Sequence, residues 1–151
     1  MKSPAQTATL LTYAGAIPFV TCAAVLVFSR PLGLVEYRPF ALQALTTYAA
    51  VIVSFLGGIQ WGIGIATESE QPQTANSLFL LSVVPSLLAW ALLFLPSNSA
   101  KVIVALFLVG LVWIVDALLH LQKVIPAWFF RLRCTISAVV MLSLVAAMLA
   151  V

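Results

Sequence analysis

The sequence predicts an all-α fold, a polytopic membrane protein built as a five-transmembrane-helix bundle with short loops. Five apolar stretches of near-bilayer length, at about residues 8–28, 41–66, 77–95, 102–121 and 134–151, take up most of the 151 residues. A bilayer's hydrocarbon core is crossed by about 20 apolar helical residues. In lipid every backbone N–H and C=O must be paired internally, so each stretch reads as a spanning helix. Composition agrees: 64% of residues are hydrophobic and 7% charged, against roughly 45–50% apolar and 25% charged in soluble domains. The links leave no room for a second unit, so residues 1–151 read as one integral membrane domain.

In the first stretch, Ala8 to Phe28, apolar sequence begins close to Met1. Lys2 makes a thin positive region, and Val20-Thr21-Cys22 has a faint likeness to a lipoprotein site. Thr21 is too bulky to precede a lipidated cysteine, and the apolar run exceeds a signal-peptide core. A retained span is therefore expected, with no Arg-rich transit peptide ahead of it. Pro18 should kink this helix by freeing a carbonyl one turn earlier. Ser29 to Phe40 holds Arg30, Pro31, Gly33, Glu36, Arg38 and Pro39, and reads as a turn-rich link.

The second stretch repeats small residues at intervals of four: Ala50, Ser54, Gly58, Gly62 and Ala66. That spacing lays them along one face of a helix. Gly58 and Gly62 form a GxxxG unit, which predicts that Ser54, Gly58 and Gly62 face a closely packed helix. The other reading of the stripe is a groove for a lipid or quinone tail. Pro85 predicts a second kink in the third stretch. Pro96 to Lys101 is a tight turn before the fourth stretch. Gln122 to Arg133 reads as a patterned loop, with Pro126 suited to a first helical position. Trp128, Phe129 and Phe130 suit an aromatic belt there, and Arg131 and Arg133 can snorkel to headgroups.

Five crossings place Lys2, Lys123, Arg131 and Arg133 on one face and Arg30, Arg38 and Lys101 on the other. The clustering beside the last helix favours a cytoplasmic N-terminus. A bacterial inner membrane is the simplest home.

Chemistry-bearing residues are few. Cys22 and Cys134 should lie at different depths, which disfavours a disulfide. The chain has no CxxC, so zinc, iron–sulfur and c-type haem sites are not expected; His120 is its single histidine, which excludes a b-type haem held by two histidines of one chain. Too little water-facing surface exists for a nucleic-acid patch. The candidate site is a polar cluster near the N-terminal face. Gln60, beside Trp61, lies about two turns from the end of the second stretch, and Asp116 at a comparable depth in the fourth. Asp116, His120 and Lys123 fall at spacings of four and three, hence on one face. A charge inside a span is costly and usually paired, so Asp116 is expected to pair with Arg131 or Arg133. The plain reading is a clamp between the last two helices. The functional reading is a headgroup or proton site.

Three segments resemble one known family: Tyr13-Ala14-Gly15-Ala16-Ile17-Pro18-Phe19, Ser54-Phe55-Leu56-Gly57-Gly58-Ile59-Gln60-Trp61-Gly62, and Ser82-Val83-Val84-Pro85-Ser86-Leu87-Leu88-Ala89-Trp90. They are similar to the bacterial and mitochondrial family called domain of unknown function 3429, which includes transmembrane protein 69-like chains. Pro126-Ala127-Trp128 with Arg131-Leu132-Arg133 fits it too, so the resemblance covers nearly the whole chain. It implies the membrane fold and supplies no activity. Position 60 holds Gln where the resemblance implies His or Arg in many members, which speaks against an acid–base or metal role for Gln60.

No catalytic constellation, cofactor or metal is therefore expected. The first functional reading is a non-enzymatic accessory or assembly component of a membrane complex, such as a respiratory one, meeting membrane lipids and protein partners or further copies of itself. The alternative is a binding or carrier protein for a lipid, quinone or small solute.

Overall fold

The structure is a computed structural model that describes residues 3–151. Lys2, one of the charges weighed for orientation, lies outside the described residues. Six helices form five spans: α1 (Pro4–Ala14) and α2 (Ile17–Phe28) together make the first, followed by α3 (Arg38–Thr67), α4 (Pro72–Leu92), α5 (Asn98–Leu121) and α6 (Ala127–Ala150). Among the described residues there is no strand. A short 3₁₀ turn, Val35–Tyr37, leads into α3.

The helices start earlier than hydropathy alone suggests, because polar and capping residues continue them into the headgroup layer. Ser3 caps α1 reciprocally with Gln6, ahead of Pro4 at the first helical turn. Ser97 accepts from the Ala100 N–H at the start of α5. Pro126 is the N-cap of α6 rather than its first residue, and Trp128, Phe129 and Phe130 lie in the first turn of that helix, not in a loop. In contrast α4 stops at Leu92, short of the expected Leu95, and tightens into successive short-range turns that end before Pro96.

The first span breaks just before Pro18. Pro18 has no N–H to give the Ala14 carbonyl, so α1 ends at Ala14 and α2 restarts at Ile17. The Gly15 carbonyl left at the break accepts from the Tyr48 hydroxyl of α3 at 2.9 Å. Pro85 behaves differently, since α4 runs through it as one helix.

The spans form a ring in which α3 packs on α2 and α4, α5 on α4 and α6, and α6 returns to α2; α3 also meets α5 across the middle. Leu45, Ala49, Val53, Val102, Ala105, Leu108, Val112 and Leu144 fill the centre. Large apolar residues such as Phe40, Leu80, Phe107 and Leu149 point outward, as a lipid-facing surface allows. Hydroxyls within the spans are satisfied locally: Thr46, Ser54, Ser86 and Ser143 each donate to the carbonyl four residues earlier. α1 buries no residue and only brushes α6.

The small-residue stripe is corrected. Ser54, Gly58 and Gly62 are exposed, and a Cβ added at Gly58 or Gly62 would meet nothing within 4 Å. The close approach of α3 to α4 is made by Gly57 and Gly64. A Cβ at Gly57 would collide with the Ser82 carbonyl oxygen and sit 2.9 Å from the Ser86 Oγ, and one at Gly64 would sit 2.9 Å from the Phe79 ring. Residues 57 and 64 lie seven apart, two turns of helix, and so share a face that the Gly58–Gly62 pair does not.

At the far end of the bundle Arg38 joins three helices. Its guanidinium donates to the Leu26 carbonyl at 2.7 Å, to the buried Ser29 Oγ at 2.8 Å and to the Ala150 carbonyl. Those carbonyls lie in the last turns of α2 and α6, where unpaired C=O groups and the helix dipole favour a cation.

Gly57→Ala should lower thermal stability in detergent, since overpacking a dense interface costs about 1–3 kcal/mol. Gly58→Ala and Gly62→Ala should be neutral or stabilising, because Ala is a better helix former and has open space there. Equal melting behaviour of the three variants would overturn this assignment of the α3–α4 contact.

Candidate functional site

The site grows from the α5–α6 turn. Lys123 adopts φ 60° just past the end of α5. Its N–H returns to the His120 carbonyl at 3.0 Å, and the Val124 N–H to the Leu119 carbonyl at 2.9 Å. These two bonds are a Schellman ending. Lys123 therefore does not lie on a helix face with Asp116 and His120, as spacing alone suggests. With Pro126 starting α6 at once, the turn folds α6 back along α5. Leu119 and Ile125 pack beneath it with Leu78 and Val115, and Val124 closes over them.

This reversal sets Asp116, about a turn and a half before the end of α5, against Arg133, about a turn and a half into α6. Arg133 Nε donates to Asp116 Oδ2 at 2.6 Å. Both residues are buried, at 4% and 7% exposure. Arg133, rather than Arg131, is the partner; Arg131 is exposed on the surface of α6. The bond uses Nε alone, and Arg133 Nη2 is enclosed without a hydrogen-bond partner among the described residues.

The remaining candidates divide. Gln60 is 1% exposed on α3, and neither end of its amide has a hydrogen-bond partner among the described residues. It makes no hydrogen bond to the ion pair, but it is a free donor and acceptor inside the bundle. His120 is half-buried and stacks on Phe130 with ring centroids 4.4 Å apart and planes 14° from parallel. Its Nδ1 is enclosed and unpartnered among the described residues. Trp61 lies elsewhere: it is 45% exposed and packs on Phe79 at 4.9 Å on the outer face between α3 and α4. Cys22 and Cys134 are both free thiols. Among the described residues no group of three or more His, Cys, Asp or Glu side chains could hold a metal.

Arg133 also borders a cleft that the sequence did not reveal. A cavity of about 200 Å³ lies between the first span, α3 and α6, with α5 at its floor. Leu11, Thr12 and Gly15 bound it on one side, Phe55 and Ile59 on another, and Phe129, Ile136 and Val140 on a third; Val109 is at the floor. Arg133 and Ser137 are its polar residues on α6. The cleft exists because the first span breaks at Gly15 and α1 stands off the bundle. An apolar cavity of roughly 150 Å³ takes a benzene-sized molecule, so this one has room for a ring or a stretch of hydrocarbon chain.

A family model described as a protein of unknown function, DUF3429, matches residues 4–149. The chain belongs to the DUF3429 family. Transmembrane protein 69 of Xenopus tropicalis is 33% identical over 151 residues, covering 99% of this chain and 56% of the relative. Transmembrane protein 69 of Mus musculus is 30% identical over 145 residues, covering 96% of this chain and 56% of the relative. This family member thus spans about half the length of the curated relatives it matches. No solved structure matches it. Family, relatives and the five long apolar helices agree on a multi-pass membrane protein.

Asp116→Ala should destabilise the protein far more than Glu68→Ala or Glu70→Ala, whose side chains lie in the exposed α3–α4 link. Breaking one side of a buried pair strands the other charge, at about 3–5 kcal/mol. The double variant Asp116→Leu with Arg133→Leu should recover most of that loss. Thermal unfolding in detergent measures both, and a double variant no better than Asp116→Ala would refute the clamp.

Proposed function

We propose that this family member is a non-enzymatic membrane protein that holds a lipid-class molecule in the lateral cleft between α1, α3 and α6. The single observation behind this is the cleft itself: apolar walls supplied by the first span, α3 and α6, and one buried cation at its edge. Ligand sites combine this kind of apolar lining with a few polar groups that fix orientation. The ionisable residues gathered near the α5–α6 turn, Asp116, His120 and Arg133, offer one closed ion pair and one stacked imidazole, which is a poor basis for catalysis. The reading calls for no metal ion, and among the described residues no group of three or more His, Cys, Asp or Glu side chains could hold one.

A second reading, an assembly or accessory component of a membrane complex, is supported by the outward small-residue stripe. Ser54 and Gly58 line a shallow groove beside Trp61 in which a foreign helix could approach the α3 backbone, and Gly62 adds open space one turn on. We place the chain in a bacterial inner membrane with its N-terminus cytoplasmic. Arg38 and Arg133 are engaged inside the bundle and add little to the charge comparison. That leaves Lys123 and Arg131 on one face against Arg30 and Lys101 on the other among the described residues, so the orientation rests on the clustering of Lys123 and Arg131 beside α6.

Gentle detergent extraction followed by mass spectrometry should find a lipid-class molecule retained by the wild type and lost in Ile59→Trp, which fills the cleft. Retention of the same molecule by both proteins would refute the cleft reading, and a stoichiometric partner protein without a bound small molecule would favour assembly. Reporter fusions at Ser69, Ser99 and Val151 should place Ser69 in the cytoplasm and the other two across the membrane. Agreement between Ser69 and Ser99 would remove a crossing and defeat the topology.

A further inference from the structure

We propose, resting on the cleft reading above, that Arg133 recognises its occupant through a neutral carbonyl oxygen, so that the ligand is an uncharged-headed apolar molecule bearing a carbonyl at one end. Arg133 borders the cleft and is 7% exposed. Its bond to Asp116 is single-ended through Nε, not a two-toothed fork, and Nη2 has no partner among the described residues. Guanidinium donors kept from water are costly when unmade. Because Arg133 lines the cleft, an acceptor that entered it and displaced the side chains covering Nη2 would satisfy this donor.

Charge decides which acceptor. Asp116 already balances Arg133, so the pair is neutral as a unit. An anionic headgroup drawn against it would leave a net negative charge away from water, which is unfavourable. A carbonyl brings lone pairs without charge. Ser137, one turn further along α6 and also buried, adds a hydroxyl on the same side. Beyond it Val140 and Val109 give an apolar path into the bundle. Polar groups at one end and hydrocarbon at the other orient the occupant with its carbonyl at Arg133. Two sources share this chemistry: the ester carbonyl of a membrane lipid and the ring carbonyl of a prenylated quinone.

The test titrates purified full-length protein with three probes by native mass spectrometry: a diacylglycerol, its dialkyl-ether analogue without ester carbonyls, and decyl-benzoquinone. Asp116→Leu with Arg133→Leu removes the donor without stranding a charge. At least one carbonyl probe should bind the wild type about tenfold more tightly than this double variant, the size expected for a hydrogen bond to a charged group. The ether analogue should bind both proteins alike, and the carbonyl probe that shows the loss identifies the source. Should the double variant not fold, Arg133→Lys keeps the pair while removing the guanidinium, and should show the same selective loss. Carbonyl probes that bind variant and wild type equally, or an ether analogue that weakens as much as they do, overturn the role of Arg133 and leave the cleft occupied. If no probe binds the wild type, or Ile59→Trp weakens none, the cleft reading itself fails.

Discussion

The ion pair between Asp116 and Arg133 sits where neither water nor lipid can replace either partner. Hydrocarbon offers no hydrogen bonds, and a lone carboxylate or guanidinium inside it is among the costliest groups a fold can carry. The α5–α6 turn is arranged around meeting that demand. Lys123 accepts a left-handed backbone, a conformation that glycine adopts more cheaply, so that the chain reverses within a few residues. Pro126 then caps α6, itself carrying no N–H to satisfy, and its carbonyl accepts from the Phe129 and Phe130 N–H groups. A longer or looser connection would let α6 slide along α5, and a shift of one residue would turn Arg133 by about 100° away from Asp116.

The same rule shapes the opposite face. There the unpaired groups are the carbonyls that end α2 and α6, and Arg38 supplies donors to both together with the Ser29 hydroxyl. One arginine thus fixes the depth of α2, α3 and α6 relative to one another, and a second fixes α5 against α6. Between these two tie points the interior is apolar and close-packed, with Gly57 letting α3 lie against the α4 backbone. The first span, α3, α5 and α6 each have a polar contact near an end, whereas α4 is held by shape. That division suits a medium in which apolar surface gains nothing by leaving the solvent.

Much of this was legible in the chain. Five spans follow from hydropathy and length, because lipid admits no alternative to a helix over such stretches. The pairing of Asp116 with an arginine followed from the cost of a buried charge. Which arginine, Arg131 or Arg133, did not, since both lie on the first turns of α6 and the choice depends on rotation about its axis. The glycine stripe misled for the same reason. Gly58 and Gly62 recur at a helical interval, but an interval defines a face without saying what that face meets; the neighbour of α3 lies on the side of Gly57 and Gly64. Lys123 was misplaced because spacing assumes a helix that the chain has already left. Arg38 read as a loop charge, although its position ahead of Pro39 puts it at the start of a helix, within reach of the ends of its neighbours. The cleft was invisible because it depends on how far α1 leans from the bundle, a consequence of the Pro18 break that no local pattern reports.

A buried pair of this kind is a weak argument for stability, since apolar residues of the same shape often serve as well. If clamping α5 to α6 were its whole purpose, the guanidinium would be expected to grip the carboxylate through two nitrogens, which is the stronger and more directional arrangement. It grips through Nε alone. Nη2 is left unpartnered among the described residues, on a side chain that borders the cleft opened where the first span breaks. The break, the stand-off of α1 and the single-ended pair each lower stability or leave it unimproved, and they coincide at one place in the fold. Departures from the best local solution that coincide in this way are characteristic of sites rather than of scaffolding.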